Sequence, residues 1–64
     1  MSLYKHYKGG VYDFITQAFD ADTGEEKAVF RNVETGVAWI RPLQEFQGTV
    51  EVDGQTIPRF TPVD

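Results

Sequence analysis

Val37-Ala38-Trp39-Ile40-Arg41-Pro42-Leu43-Gln44-Glu45-Phe46-Gln47-Gly48-Thr49-Val50-Glu51-Val52-Asp53-Gly54 is the stretch that decides the fold. It opens as a strand, Val37 to Arg41, with Val37, Trp39 and Arg41 on one face and Ala38 and Ile40 on the other. Pro42 ends that strand, because proline cannot donate to a ladder. Proline suits the first position of a helix, and Leu43 and Phe46 at i, i+3 share one side. The spacing therefore predicts a single helical turn over Pro42–Phe46, stopped by Gly48. Thr49 to Val52 reads as another strand, and Asp53-Gly54 is the strongest hairpin signal in the chain.

Upstream, Val11 to Phe19 reads as a long first strand. Tyr12, Phe14, Thr16 and Ala18 form the face better suited to a core, with Val11, Ile15 and Phe19 on the opposite parity. A bulge near Phe14-Ile15 would let the strand use both faces. Asp20 to Glu26 marks a hairpin connection, and Lys27 to Arg31 is the return strand. Asn32 to Gly36 is a second turn. Leu3 to Lys8 is expected to be irregular or a short edge piece, broken by Gly9-Gly10. Downstream, Gln55 to Phe60 pairs back across Asp53-Gly54, with Pro58 restricting its ladder, and residues 61–64 are expected to fray.

About five short strands with one helical turn predict an all-β fold, a small SH3-like partly open barrel in one domain over residues 1–64. An OB-type barrel is the alternative, although it usually uses a longer chain and helix. There is no internal repeat, low-complexity tract or linker.

Composition bounds the function. The chain has 64 residues, 41% hydrophobic and 14% aromatic, with no cysteine and one histidine. It is too short for a dinucleotide fold or a (β/α) barrel. Without cysteine there is no disulfide, thiolate chemistry or cysteine-bound zinc. A single histidine excludes a two-histidine metal site within one chain. A domain of ~60 residues buries only about 60% of its unfolded surface, so most of the aromatic rings are expected in the core. Six Lys and Arg against ten Asp and Glu give a net charge of −4, which disfavours nucleic acid. The cluster Asp20, Asp22, Glu25, Glu26 reads as a solvated loop, because its spacing does not match a calcium loop. No apolar run approaches a membrane span, and the first residues lack the stretch of a signal peptide. A cytoplasmic soluble protein is the expectation.

The ordered set His6-Tyr7-Lys8-Gly9, Tyr12, Ala18, Asp22-Thr23-Gly24-Glu25, Val29-Phe30, Trp39-Ile40-Arg41-Pro42-Leu43, Phe46, Val50 and Arg59-Phe60 resembles a small bacterial and phage family, domain of unknown function 1653. Its marks are a His-Tyr/Phe-Lys-Gly opening with a Tyr three residues on, an Ala before a Glu-Thr turn, a Trp-x-Arg-Pro strand end with a following Phe, and a closing Arg-Phe. The resemblance runs from Tyr4 to Phe60. It departs at Asp22, where the family more often has Glu, and at Phe14, where a small β-branched residue is usual. It implies a compact β-rich domain and supplies no catalytic residue.

The candidate site residues are Arg41, Arg59, Trp39, His6, Lys8 and Tyr12. Guanidinium forks suit carboxylate or phosphate groups, and Trp39 with Tyr12 could flank a shared anion pocket. The structural alternatives are an ion pair to Glu45, Glu51 or Asp13, or stacking on Trp39 or Phe60. Trp39 is expected in the core by default; exposed beside Tyr7 and Tyr12, it would resemble a peptide-binding groove. His6 is expected to bond a backbone carbonyl and to have its pKa lowered by Lys5 and Lys8. No threonine stands in an activating motif for a nucleophile–base pair. The expectation is a non-enzymatic, cofactor-free binding module for a protein segment, or one that self-associates. The alternative is a binder of a nucleotide-like or carboxylate anion.

Overall fold

The central hairpin follows the apolar pattern closely. A computed structural model describes residues 2–63. Strand β2 (Val11–Phe19) turns back into β3 (Glu26–Asn32), and their register shifts between Phe14 and Thr16. This is the bulge expected near Phe14-Ile15. Before it, Tyr12 and Phe14 pair with Asn32 and Phe30 on the inner face; after it, Gln17 rather than Thr16 pairs with the fully buried Ala28. The extra residue thus reverses parity, and Thr16 and Ala18 leave the inner face.

Next along the chain comes β4 (Ala38–Pro42), paired to β3. Helix α1 (Leu43–Phe46) follows at once, with Pro42 as its N-cap rather than its first helical residue. Strand β5 (Thr49–Val52) and β6 (Gln55–Pro58) form a hairpin. Both residues of its turn, Asp53 and Gly54, have positive φ, 51° and 79°, as a type I′ turn demands.

Two terminal segments depart from the expectation. Ser2–His6 is a regular strand, β1, lying between β2 and the last strand, β7 (Phe60–Val63). Residues 61–63 are therefore paired, from Leu3↔Val63 to His6↔Phe60; residue 64 of the expected tail lies outside the described residues. The stretch Gln55 to Phe60 is not one strand but two pieces broken at Arg59. Pro58 lacks an N–H, and Arg59 is held in a bend by two backbone bonds: its N–H donates to Gly48 O at 3.0 Å and its carbonyl accepts from Tyr7 N–H at 2.9 Å.

Among the described residues the result is mostly β, with seven strands in two antiparallel sheets: five strands ordered β4-β3-β2-β1-β7, and the β5–β6 hairpin. The five-stranded sheet is not closed, which makes the domain a partly open barrel. Its inner face holds the core: Ala28, Phe30, Phe46 and Phe60 are buried, with Tyr4, Tyr12, Phe14 and Leu43 packed against them. Leu43 and Phe46 do share the core side of α1. The Phe46 and Phe60 rings stack at 4.4 Å, and Phe30 lies 5.4 and 5.3 Å from them. Pairs of this kind contribute ~0.5–1.5 kcal/mol each beyond the area they bury.

Candidate functional site

Pairing decides what β4 offers. Trp39 is opposite Phe30 and Arg41 is opposite Ala28, so both point to the inner face with those buried residues. β4, however, is the outermost strand. No neighbour covers its far side, and Trp39 stays 55% exposed. The default expectation of a core tryptophan is corrected here: the residue has the inward parity but sits at the lip.

Beneath the indole lies a concavity of about 250 Å³ lined by His6, Tyr12, Phe30, Trp39, Ile40, Arg41 and Phe60. Phe30 and Phe60 supply buried apolar walls. The Tyr12 ring meets them edge-on at 5.4 and 5.8 Å. It also lies across Gly10, where a Cβ would come within 3.0 Å of the ring. His6 packs edge-on against Phe60 at 4.9 Å.

The electrostatics are those of nearby cations acting on a partly buried imidazole. His6 Nδ1 accepts the Lys8 N–H at 3.1 Å, so the ring is an acceptor and not the expected donor to a carbonyl. With Nδ1 accepting, the neutral ring carries its proton on Nε2. Burial is the main cause holding the His6 pKa below its ordinary 6.5, followed by Arg41, Arg59 and Lys8. Lys5, expected to act on it, is not among the causes. Arg41 Nη1 donates to Glu45 Oε1 at 3.0 Å, the ion pair that ties α1 to the sheet. Among the described residues its Nε is buried without an acceptor, as is that of Arg59.

A family model described as a protein of unknown function, DUF1653, matches residues 2–62. The chain belongs to the DUF1653 family. No curated protein and no solved structure matches it.

In this DUF1653 chain, four of the residues singled out in the sequence, His6, Tyr12, Trp39 and Arg41, converge on one concavity. Arg59 does not line it, although its charge reaches His6. Among the described residues Arg59 has no carboxylate within ion-pair distance. Lys8 is outside, its ammonium 5.8 Å from the centre of the Tyr7 ring. A larger groove, about 540 Å³, lies on the other side of His6 along Lys5, Tyr7, Ile57, Pro58 and Pro62. No sequence signal marked it, because it joins strands whose adjacency depends on the β1–β7 pairing. Among the described residues no hydroxyl bonds to His6, and no three His, Asp or Glu side chains converge as a metal site. Among the described residues no helix is long and apolar enough to cross a membrane.

Proposed function

We propose that the protein is a non-enzymatic binding module that seats a carboxylate of an extended protein segment in the Trp39–Arg41 concavity. The observation that carries the reading is the convergence of exposed Trp39 with Arg41, His6 and Tyr12 over an apolar floor. Arg41 can give a charge-assisted fork to a carboxylate, and the indole and phenol rings flank the segment's apolar part. At about 250 Å³ the concavity falls below the ~300–1,000 Å³ of sites that engulf a small molecule. It fits one or two side chains of a longer partner.

The test is a ¹⁵N–¹H titration with an acetylated tetrapeptide ending in Tyr-Glu, run beside its Tyr-Gln amide. The Trp39 indole and the His6 and Tyr12 amides should shift with the carboxylate peptide alone. Arg41→Gln should weaken that binding by about tenfold or more, since a hydrogen bond to a charged group contributes ~1.5–3 kcal/mol. Equal shifts with both peptides, or none, reject the reading. Shifts with nucleoside monophosphates but not the peptide would put the small-anion alternative in its place.

A further inference from the structure

The two edges of the five-stranded sheet differ in their backbone chemistry, and the difference follows from bonds inside it. Asn32 N–H donates to Val37 O at 2.9 Å. Hydrogen-bonded and non-bonded pairs alternate in antiparallel sheets. With Phe30↔Trp39 and Ala28↔Arg41 as the next bonded pairs, Ala38 and Ile40 aim their N–H and C=O groups away from β3, and Pro42, which has no N–H, faces the same way. At the opposite edge, Tyr7 N–H donates to Arg59 O. The same alternation turns residues 61 and 63 toward β1 and residues 60 and 62 outward. Of these two, Pro62 has no N–H. Each edge therefore carries one outward proline: β7 keeps an outward donor only at Phe60, whereas β4 keeps two in succession, Ala38 and Ile40, ahead of Pro42.

We propose that β4 pairs with the β4 strand of a second copy of this chain, antiparallel about a two-fold axis through Ile40. In that register the two Ile40 residues exchange both backbone bonds, and their side chains, 65% exposed in the monomer, meet on the outer face. Ala38 falls opposite Pro42 of the second copy, and each of those pairs makes one bond, Ala38 N–H to the proline carbonyl. Trp39 then stands opposite Arg41 of the second copy on the inner face, and Arg41 opposite that copy's Trp39. The two guanidinium groups meet aromatic faces rather than each other, which favours a second copy as occupant. The second copy also adds its Arg41 to the lip of each concavity. The strand is only five residues long, well short of a standard interface of ~1,200–2,000 Å², so the pairing is weak and concentration-dependent.

Sedimentation equilibrium from micromolar to millimolar protein tests this, together with single-thiol cross-linking. Dimer should form toward the upper end. Ile40→Pro removes an N–H that β3 does not use and should weaken association by about tenfold or more. Ile40→Lys places like charges opposite one another and should do the same without altering the backbone. The chain has no cysteine, so Ile40→Cys should give a disulfide dimer on mild oxidation, and Phe19→Cys, equally exposed on β2, should not. A monomer at millimolar concentration overturns the proposal. So does a dimer indifferent to both Ile40 variants, or cross-linking as rapid through position 19 as through position 40.

Discussion

In the loop Asp20–Glu25, Asp20 Oδ1 accepts the N–H groups of Asp22 and Thr23 at 2.8 and 3.0 Å, Gly24 N–H returns to Asp20 O at 2.8 Å, and Thr23 Oγ1 accepts from Glu25 N–H at 3.1 Å. In the loop Asn32–Val37, Asn32 Oδ1 accepts from Glu34 and Thr35, both at 2.9 Å, Gly36 N–H returns to Asn32 O at 2.8 Å, and Thr35 Oγ1 accepts from Val37 N–H at 3.2 Å. One turn is built twice, from Asp-Ala-Asp-Thr-Gly-Glu and from Asn-Val-Glu-Thr-Gly-Val. An Asx side chain standing in for a backbone carbonyl is the device in both. What differs is the charge on the capping side chain and the strands that each loop joins. The first joins β2 and β3, which have neighbours on both sides; the second leads into the edge strand carrying Trp39 and Arg41.

The largest effect should come from the glycines. Gly24 and Gly36 have φ of +76° and +77°, and a Cβ at either would have nothing within 4 Å. Alanine therefore fits spatially and is opposed only by its backbone conformation, which costs roughly 1–2 kcal/mol. In a domain of this size that lowers Tm by roughly 4–16 °C. Gly24→Ala and Gly36→Ala should give matching losses in thermal melts. A twofold disparity would show that the loops are not equivalent.

What could be read from the residues follows this division between local and distant causes. The Asp53-Gly54 hairpin, the proline-led turn ending in Phe46 and the bulge after Phe14 are set by neighbours in sequence, and each lies where its residues place it. The position of β1 in the sheet interior depends on His6 meeting Phe60, far along the chain. Nothing within Leu3–Lys8 encodes that partner. Trp39 has core parity in any alternation count; its exposure comes from β4 being last in the sheet, a property of topology. The candidate site shows the same split. Arg41 and Trp39 share a strand and a face, as alternation requires. His6 and Tyr12 reach them only through the curvature of the whole sheet, while Arg59 is held behind by its bend.

The Asx residues come next in size. Asn32→Ala removes the acceptor of two exposed N–H groups and should cost about 0.5–1.5 kcal/mol. It should also disturb the site, since β3 and β4 share five paired positions where β2 and β3 share seven. With its leading turn loosened, β4 frays, and the emission of Trp39, the only tryptophan, should move toward the red. Asp20→Ala should lower Tm while leaving that emission unchanged. A red shift of similar size in both variants would mean that the first loop also supports the edge.

The smallest effect is the one that separates the two caps by charge. The N–H groups of Thr23, then Asp22, hold the Asp20 carboxyl below its ordinary 3.8, with a lesser contribution from Lys27. A carboxyl lowered in the folded state adds stability that is present above its unfolded pKa. That contribution disappears as pH falls through the lower, folded value. The Asn32 amide makes the same two bonds and does not titrate. Acid should therefore weaken the first turn and spare the second. Melting temperatures followed from neutral pH down through the carboxylate range should fall less steeply for Asp20→Asn than for the wild type, and more steeply for Asn32→Asp, which writes the first cap into the second loop. The difference between curves isolates the cap from the other carboxylates, which all three proteins share. Superimposable curves for wild type and Asp20→Asn would mean that the Asp20 carboxylate is bound no more tightly in the folded turn than in the open chain, and that the likeness of the two loops is one of shape without shared energetics.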